Sequence, residues 1–143
     1  MRYLGIDYGL KRLGLALCDA SETIVSPLCQ LSVNTGRPEE LLERLKQIID
    51  ENQVEALVVG LPLNMDDSEG EQARLTRRFA GELAKTVGKP VHLQDERLSS
   101  MAAEEKLSES GLSRQKRRQR RDMLAACDIL QEFLNRRQKN DSQ

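Results

Sequence analysis

Three acidic residues stand at positions where a carboxylate needs a chemical explanation. Asp7 lies inside a predicted strand, where an acid is unfavourable unless something pairs with it. Glu96 lies just past the fifth predicted strand, and Asp122 comes directly after a run of basic residues. Mg²⁺ and Mn²⁺ prefer carboxylate oxygens with open positions for water and phosphate. Because three converging acids are electrostatically costly without a cation, their combination suggests a divalent-metal site.

Each acid also has a structural interpretation when it is taken alone. Asp7 could begin a turn, and Glu96 could pair with Arg97. Asp122 alone is most typical of a helix cap or a first-turn acid. Asp95 precedes Glu96 and could support it or replace it as a ligand. Since neighbours on a strand face opposite ways, only one of these two is expected to reach a metal.

The pattern of apolar residues and turn residues predicts five strands and four helices. The strands are predicted over 4–8, 13–17, 24–31, 56–60 and 91–94, and the helices over 37–49, 73–87, 100–109 and 122–136. The first two strands form a hairpin, and Pro27 marks the third as an edge or bulged strand. Because helices connect the later strands, the fold class is α/β, with a mixed five-stranded sheet flanked by helices on both sides.

Length and composition predict one cytoplasmic domain. The 143 residues suit a single core over 1–137, followed by a frayed polar tail over 138–143. No apolar run is long enough to cross a membrane, and Asp7 stands where a signal peptide needs apolar residues. Three cysteines without paired spacing argue against a disulfide framework or a zinc site. The single His92 is interpreted as a surface or edge-strand side chain.

The net charge of −1 conceals a strongly basic segment. Six of the eight residues over 114–121 are positive: Arg114, Lys116, Arg117, Arg118, Arg120 and Arg121. We expect this segment to be a solvated, mobile loop that attracts phosphates without reading sequence. Lys11 and Arg12, at the tip of the first hairpin, could join it. Aromatic residues make up only 3% of the chain, which argues against a base-stacking platform for single strands.

Four stretches resemble motifs of the YqgF family, also called RuvX. They are LGIDYG at 4–9 with Gly14, VGLPLNMD at 59–66, DERLS at 95–99, and Asp122 followed by AA at 125–126 and IL at 129–130. They span nearly the whole chain in the family's order. The first motif alone is weak, whereas the four together are highly specific.

The resemblance implies a ribonuclease H-like fold in which Asp7, Glu96 and Asp122 form a catalytic acidic triad that binds Mg²⁺ or Mn²⁺. It implies a metal-dependent nuclease that processes the 5′ end of pre-16S ribosomal RNA, with a metal-activated water attacking phosphorus. Arg97 or Lys11 would steady the charge that develops on the phosphate. The implied partner is structured nucleic acid, with precursor ribosomal RNA favoured over junction DNA.

Three alternatives stay open from the sequence. The first is a Holliday-junction resolvase, which would be expected to act as a homodimer because it must cut two symmetric strands. The second is a non-catalytic nucleic-acid-binding module, although a pure binder gains nothing from acids that face phosphate. The third is ATP phosphotransfer, since the glycine turn after Asp7 also occurs in the actin and sugar-kinase fold. That architecture needs two domains, and this chain is too short for them. RNA or DNA as substrate, and monomer or homodimer, are left undecided.

Overall fold

The computed structural model describes residues 1–96 and 113–141. In chain order the elements are β1 (Tyr3–Tyr8), β2 (Arg12–Cys18), β3 (Val25–Ser32), α1 (Pro38–Glu51), β4 (Ala56–Leu61), α2 (Glu71–Val87), β5 (Val91–Asp95) and α3 (Arg114–Asp141). All five predicted strands and the first two predicted helices are confirmed. The helix predicted over 100–109 lies outside the described residues.

The five strands form one mixed sheet in the order β3-β2-β1-β4-β5. The first three strands are antiparallel, and β1, β4 and β5 are parallel. The register of β2 and β3 shifts between Leu15 and Ala16, and Ala16 then pairs with Pro27. Pro27 therefore lies on an edge strand beside an irregularity, as its missing backbone donor predicts.

Helices cover both faces of the sheet because alternate residues of each strand point to opposite sides. On one face, Leu4 and Ile6 belong to a core that includes Leu45 of α1 and Leu83 of α2. On the other face, apolar side chains of β1, β2 and β4 pack against α3. Within residues 1–96 and 113–141, α3 is the helix that covers this second face.

The helix α3 begins eight residues earlier than the sequence analysis predicts. The Ser113 hydroxyl accepts a hydrogen bond from the Lys116 backbone N–H at 3.3 Å, and the Ser113 carbonyl accepts one from Arg117 at 2.9 Å. Ser113 therefore caps the helix. Arginine, lysine and glutamine are good helix formers, and no glycine or proline interrupts 114–121. The prediction of a loop over 114–121 is wrong, and so is the prediction that a helix starts at Asp122.

The far end of α3 and the β5 edge complete this face. The helix continues to Asp141, so the residues predicted as a frayed tail from 138 are helical as far as Asp141. His92 is exposed on the edge strand β5, as predicted, with its ring centroid 5.1 Å from that of Phe133. In the part of the chain that the structure describes, no helix has the length and apolar character needed to cross a membrane.

Candidate active site

Asp7 lies in a line of paired residues that crosses three strands. It pairs with Gly14 of β2, and Gly14 pairs with Gln30 of β3. Directly opposed residues share one face of a sheet. A Cβ atom added to Gly14 would lie 2.1 Å from the backbone oxygen of Asp122, so this is the face that α3 covers. Because Gly14 has no side chain, the backbone of Asp122 can pack directly on the sheet beside Asp7.

Glu96 reaches the same place from the opposite side. Ile6 pairs with Val59 in parallel strands, so the next residues, Asp7 and Gly60, lie side by side. A Cβ atom added to Gly60 would lie 2.9 Å from Glu96 Oε2. The backbone N–H of Glu96 donates to the Leu61 carbonyl at 3.0 Å, which fixes the chain just past β5. The Glu96 carboxylate therefore lies over Gly60, next to Asp7.

The electrostatics of Asp7 show an excess of negative charge. Burial raises the pKa of Asp7 above its ordinary value, and the negative charge of Asp122 raises it further. A side-chain hydrogen bond with Glu96 lowers the pKa of Asp7 in the opposite sense. The acids thus concentrate negative charge at this spot, which a divalent cation would neutralise.

Asp122 makes its contacts on the other side, toward β2 and β3. Its Oδ2 atom accepts a hydrogen bond from Arg12 Nε at 2.9 Å and another from Gln30 Nε2 at 2.6 Å. The Asp122 side chain is only 16% exposed, and that of Arg12 is 31% exposed. Two donors therefore hold this carboxylate at the underside of α3.

The three predicted acids thus lie close together. Asp7 and Glu96 contact each other, whereas Asp122 lies beside them and makes its hydrogen bonds to Arg12 and Gln30. Across residues 1–96 and 113–141, no three Asp, Glu, His or Cys side chains are arranged to hold one metal ion. The site nevertheless fits a hard divalent cation in its chemistry. Its acids offer only oxygen donors, and Asp7 and Glu96 already contact each other. Asp95 lies on β5 immediately before Glu96, and the strand alternation turns it to the opposite face.

A profile of the RuvX family, described as "Holliday junction resolvase", matches residues 1–136. The chain belongs to the RuvX family. Two of its relatives are named "Putative pre-16S rRNA nuclease". The protein from Anaeromyxobacter sp. (strain Fw109-5) is 47% identical, over 96% of this chain and 98% of the relative. The protein from Geobacillus sp. (strain WCH70) is 44% identical, over 96% of this chain and 100% of the relative.

Solved structures show that this RuvX family member has the ribonuclease H-like fold of the RuvC-type resolvases. RuvC of T. thermophilus, solved in complex with a Holliday junction substrate, superposes with a TM-score of 0.57 at 18% identity, covering 96% of each chain. The fowlpox virus Holliday junction resolvase gives a TM-score of 0.57 at 10% identity, covering 94% of this chain and 98% of that one. The predicted fold is confirmed.

Most residues predicted to contact nucleic acid lie either in the first hairpin or at the start of α3. Arg12 binds Asp122 through its Nε atom, so it belongs to the acidic site of this RuvX family member as well as to the hairpin. Lys11 is exposed at the hairpin tip, and Arg97 lies outside the described residues. The remaining basic residues form the first two turns of α3, which we call the basic arm: Arg114, Lys116, Arg117, Arg118, Arg120 and Arg121. All of these are exposed except the half-buried Arg121.

Sequence reasoning missed Gln30 as a site residue and placed Arg12 only with nucleic acid. One signal for Gln30 was available. Strand alternation and the hairpin register put Gln30 opposite Gly14, on the face that also carries Asp7. The sequence shows neither that α3 covers this face nor that Asp122 lies above it, so the polar side chain had no visible partner.

Proposed function

We propose that this RuvX family member is a metal-dependent nuclease that processes the 5′ end of pre-16S ribosomal RNA in the cytoplasm. The observation that carries the proposal is the convergence of three distant acids on one spot of the sheet. Asp122 is held beside Asp7 by close packing on Gly14, and Glu96 lies over Gly60 and contacts Asp7. The names of the two relatives support the choice of RNA substrate.

The roles of the acids follow from their positions. Asp7, Glu96 and Asp122 would hold Mg²⁺ or Mn²⁺, which when bound supplies an activated water and neutralises charge on the phosphate. Both oxygens of an ionised carboxylate can bind a hard cation, so the contact between Asp7 and Glu96 places suitable ligands side by side. Gly14 and Gly60 bear no side chains, which lets Asp122 and Glu96 lie close to Asp7. We expect products with a 5′ phosphate and a 3′ hydroxyl, as is usual for this fold.

The basic arm would bind the phosphate backbone beside the acids. Arg114 lies eight residues before Asp122 on one continuous helix, which places the two Cα atoms about 12 Å apart along the axis. Because the arm is helical, its charges keep fixed spacings relative to Asp122. This geometry favours structured nucleic acid, since a duplex or hairpin presents its phosphates at fixed spacings as well.

Neutralising two residues of the basic arm should weaken binding and make it less sensitive to salt. For Arg117→Gln combined with Arg120→Gln, the slope of log affinity against log salt concentration should fall by about 1.5, because two phosphate contacts are lost. Filter-binding titrations at several salt concentrations measure this slope. The matched control is Arg136→Gln with Lys139→Gln at the other end of α3, where both side chains are exposed, and its slope should not change. Equal slopes for the two double variants would remove the basic arm from the interface.

Resolution of Holliday junctions is the second candidate function. The family profile carries that description, and the RuvC structure with a similar fold contains a junction substrate. The chemistry at phosphorus would be the same, so the acidic site alone does not distinguish the two functions.

A direct comparison of substrates tests the proposed function. Purified protein with Mn²⁺ or Mg²⁺ is incubated in parallel with a pre-16S ribosomal RNA fragment that carries its 5′ extension and with a four-way DNA junction. We expect the RNA to be cut at the mature 5′ end, and the junction to be cut slowly or not at all. Symmetric cutting of the junction with no cutting of the RNA would instead establish the resolvase function.

A further inference from the structure

The two carboxylate oxygens of Asp122 have different surroundings. Oδ2 accepts hydrogen bonds from Arg12 Nε and Gln30 Nε2. Over residues 1–96 and 113–141, no donor reaches Oδ1. Oδ1 is not among the buried polar atoms that lack a partner in this part of the chain. Oδ1 belongs to the same carboxylate whose negative charge raises the pKa of Asp7.

Arg12 and Gln30 approach Asp122 from one side only. Gln30 pairs with Gly14, and Arg12 lies two residues before Gly14 on β2, so both side chains rise from the face that α3 covers. They belong to β2 and β3, whereas Asp7 lies on β1, on the other side of Gly14. The two donors therefore fix Oδ2 on the side of Asp122 that is remote from Asp7.

We propose that Arg12 and Gln30 are positioning residues for the metal site. By holding Oδ2, they fix the rotation of the Asp122 carboxylate so that Oδ1 serves as the ligand. The inference rests on the proposed function, because it assumes that Asp122 binds a cation. Partners that hydrogen-bond a ligating carboxylate orient it, and their loss typically lowers metal affinity about 10–100-fold.

Electrostatics alone predicts the opposite result for Arg12. Its positive charge, 2.9 Å from the carboxylate, repels an incoming cation, so a neutral residue in its place should tighten metal binding. Positioning predicts weaker binding, because the carboxylate is then free to rotate. Gln30 separates the two effects cleanly, since it donates a hydrogen bond and carries no charge.

The test measures Mn²⁺ binding by isothermal titration calorimetry on the full chain without nucleic acid. Gln30→Met and Arg12→Gln should each weaken the affinity about 10–100-fold. Arg12→Lys keeps the charge without the Nε donor and should also bind more weakly than wild type. The matched control is Arg137→Gln, which removes another ion pair between α3 and the loop joining β2 and β3, that of Arg137 with Glu22 at 3.8 Å. This control should bind Mn²⁺ like wild type.

An Asp7→Asn variant separates failure of this inference from failure of the proposed function. If it loses Mn²⁺ binding while folded Gln30→Met and Arg12→Gln bind as tightly as wild type, the positioning role is wrong and the metal site stands. An equal loss in the Arg137→Gln control would assign the effect to docking of α3 and would also overturn the role. If Asp7→Asn binds Mn²⁺ like wild type, the metal site itself is wrong, and the inference falls with it.

Discussion

An Asp7→Asn variant is expected to lose cleavage by a factor on the order of 10³ or more while it still binds nucleic acid. The substitution keeps the side-chain volume and removes a carboxylate from the centre of the three acids. Binding should survive or tighten, because the removed charge repels phosphate. Burial raises the pKa of Asp7, so a neutral amide should be tolerated there and the fold should remain intact. Single-turnover cleavage and equilibrium binding of the same RNA fragment measure the two quantities.

Glu96→Gln should behave like Asp7→Asn, and the double variant should be little worse than either single variant, because residues that act as one unit are strongly non-additive. Asp95→Asn is the matched control. It alters the adjacent residue of the same segment, on the opposite face of the sheet, and should cost far less activity. Full cleavage by correctly folded Asp7→Asn protein would show that the chemistry lies elsewhere.

A Gly14→Ala variant is expected to lose stability and activity together. The added Cβ would lie 2.1 Å from the Asp122 carbonyl oxygen, and the obstacle is backbone that cannot rotate away. The helix α3 must then lift from the sheet, which should cost about 1–3 kcal/mol in the free energy of unfolding. The same shift moves Asp122 away from Asp7, so cleavage should fall even under conditions where the variant is folded. Urea denaturation gives the first quantity, and single-turnover kinetics give the second.

Gly81→Ala provides the matched control for that variant. Gly81 lies within α2, and a Cβ added there meets no atom within 4 Å. Because glycine weakens a helix interior, this variant should be more stable than wild type by about 1 kcal/mol and should cleave normally. A Gly14→Ala protein as stable as wild type would mean that α3 does not lie directly on β2.

The strands and the sheet could be predicted because each depends on a local pattern. Residues 56–60 form one apolar run, and the strand found there is buried along its whole length. Pro27 marked an edge strand because proline cannot donate to a sheet. The acids could be named as candidates because they belong to motifs that resemble a known family. The structure adds that Gly14 and Gly60 are what allow Asp122 and Glu96 to come close to Asp7.

Two features could not be read from the sequence, for different physical reasons. A solvated loop and a solvated helix can both have the composition of the basic arm. The prediction of a loop was based on its charge and did not take into account the high helix propensity of arginine and glutamine. The partners of Asp122 lie far away in the chain. Arg12 is 110 residues distant and Gln30 is 92 residues distant, so their hydrogen bonds exist only once α3 packs on the sheet. Local pattern contains no information about such a contact.

The most direct test of the acidic metal site is an anomalous difference map from crystals grown with Mn²⁺. We predict a manganese peak beside Asp7, bound by carboxylate oxygens of Asp7, Glu96 and Asp122. The metal site would be contradicted if crystals grown at saturating Mn²⁺ showed no peak at this position. Manganese bound only at other acidic residues would contradict it equally.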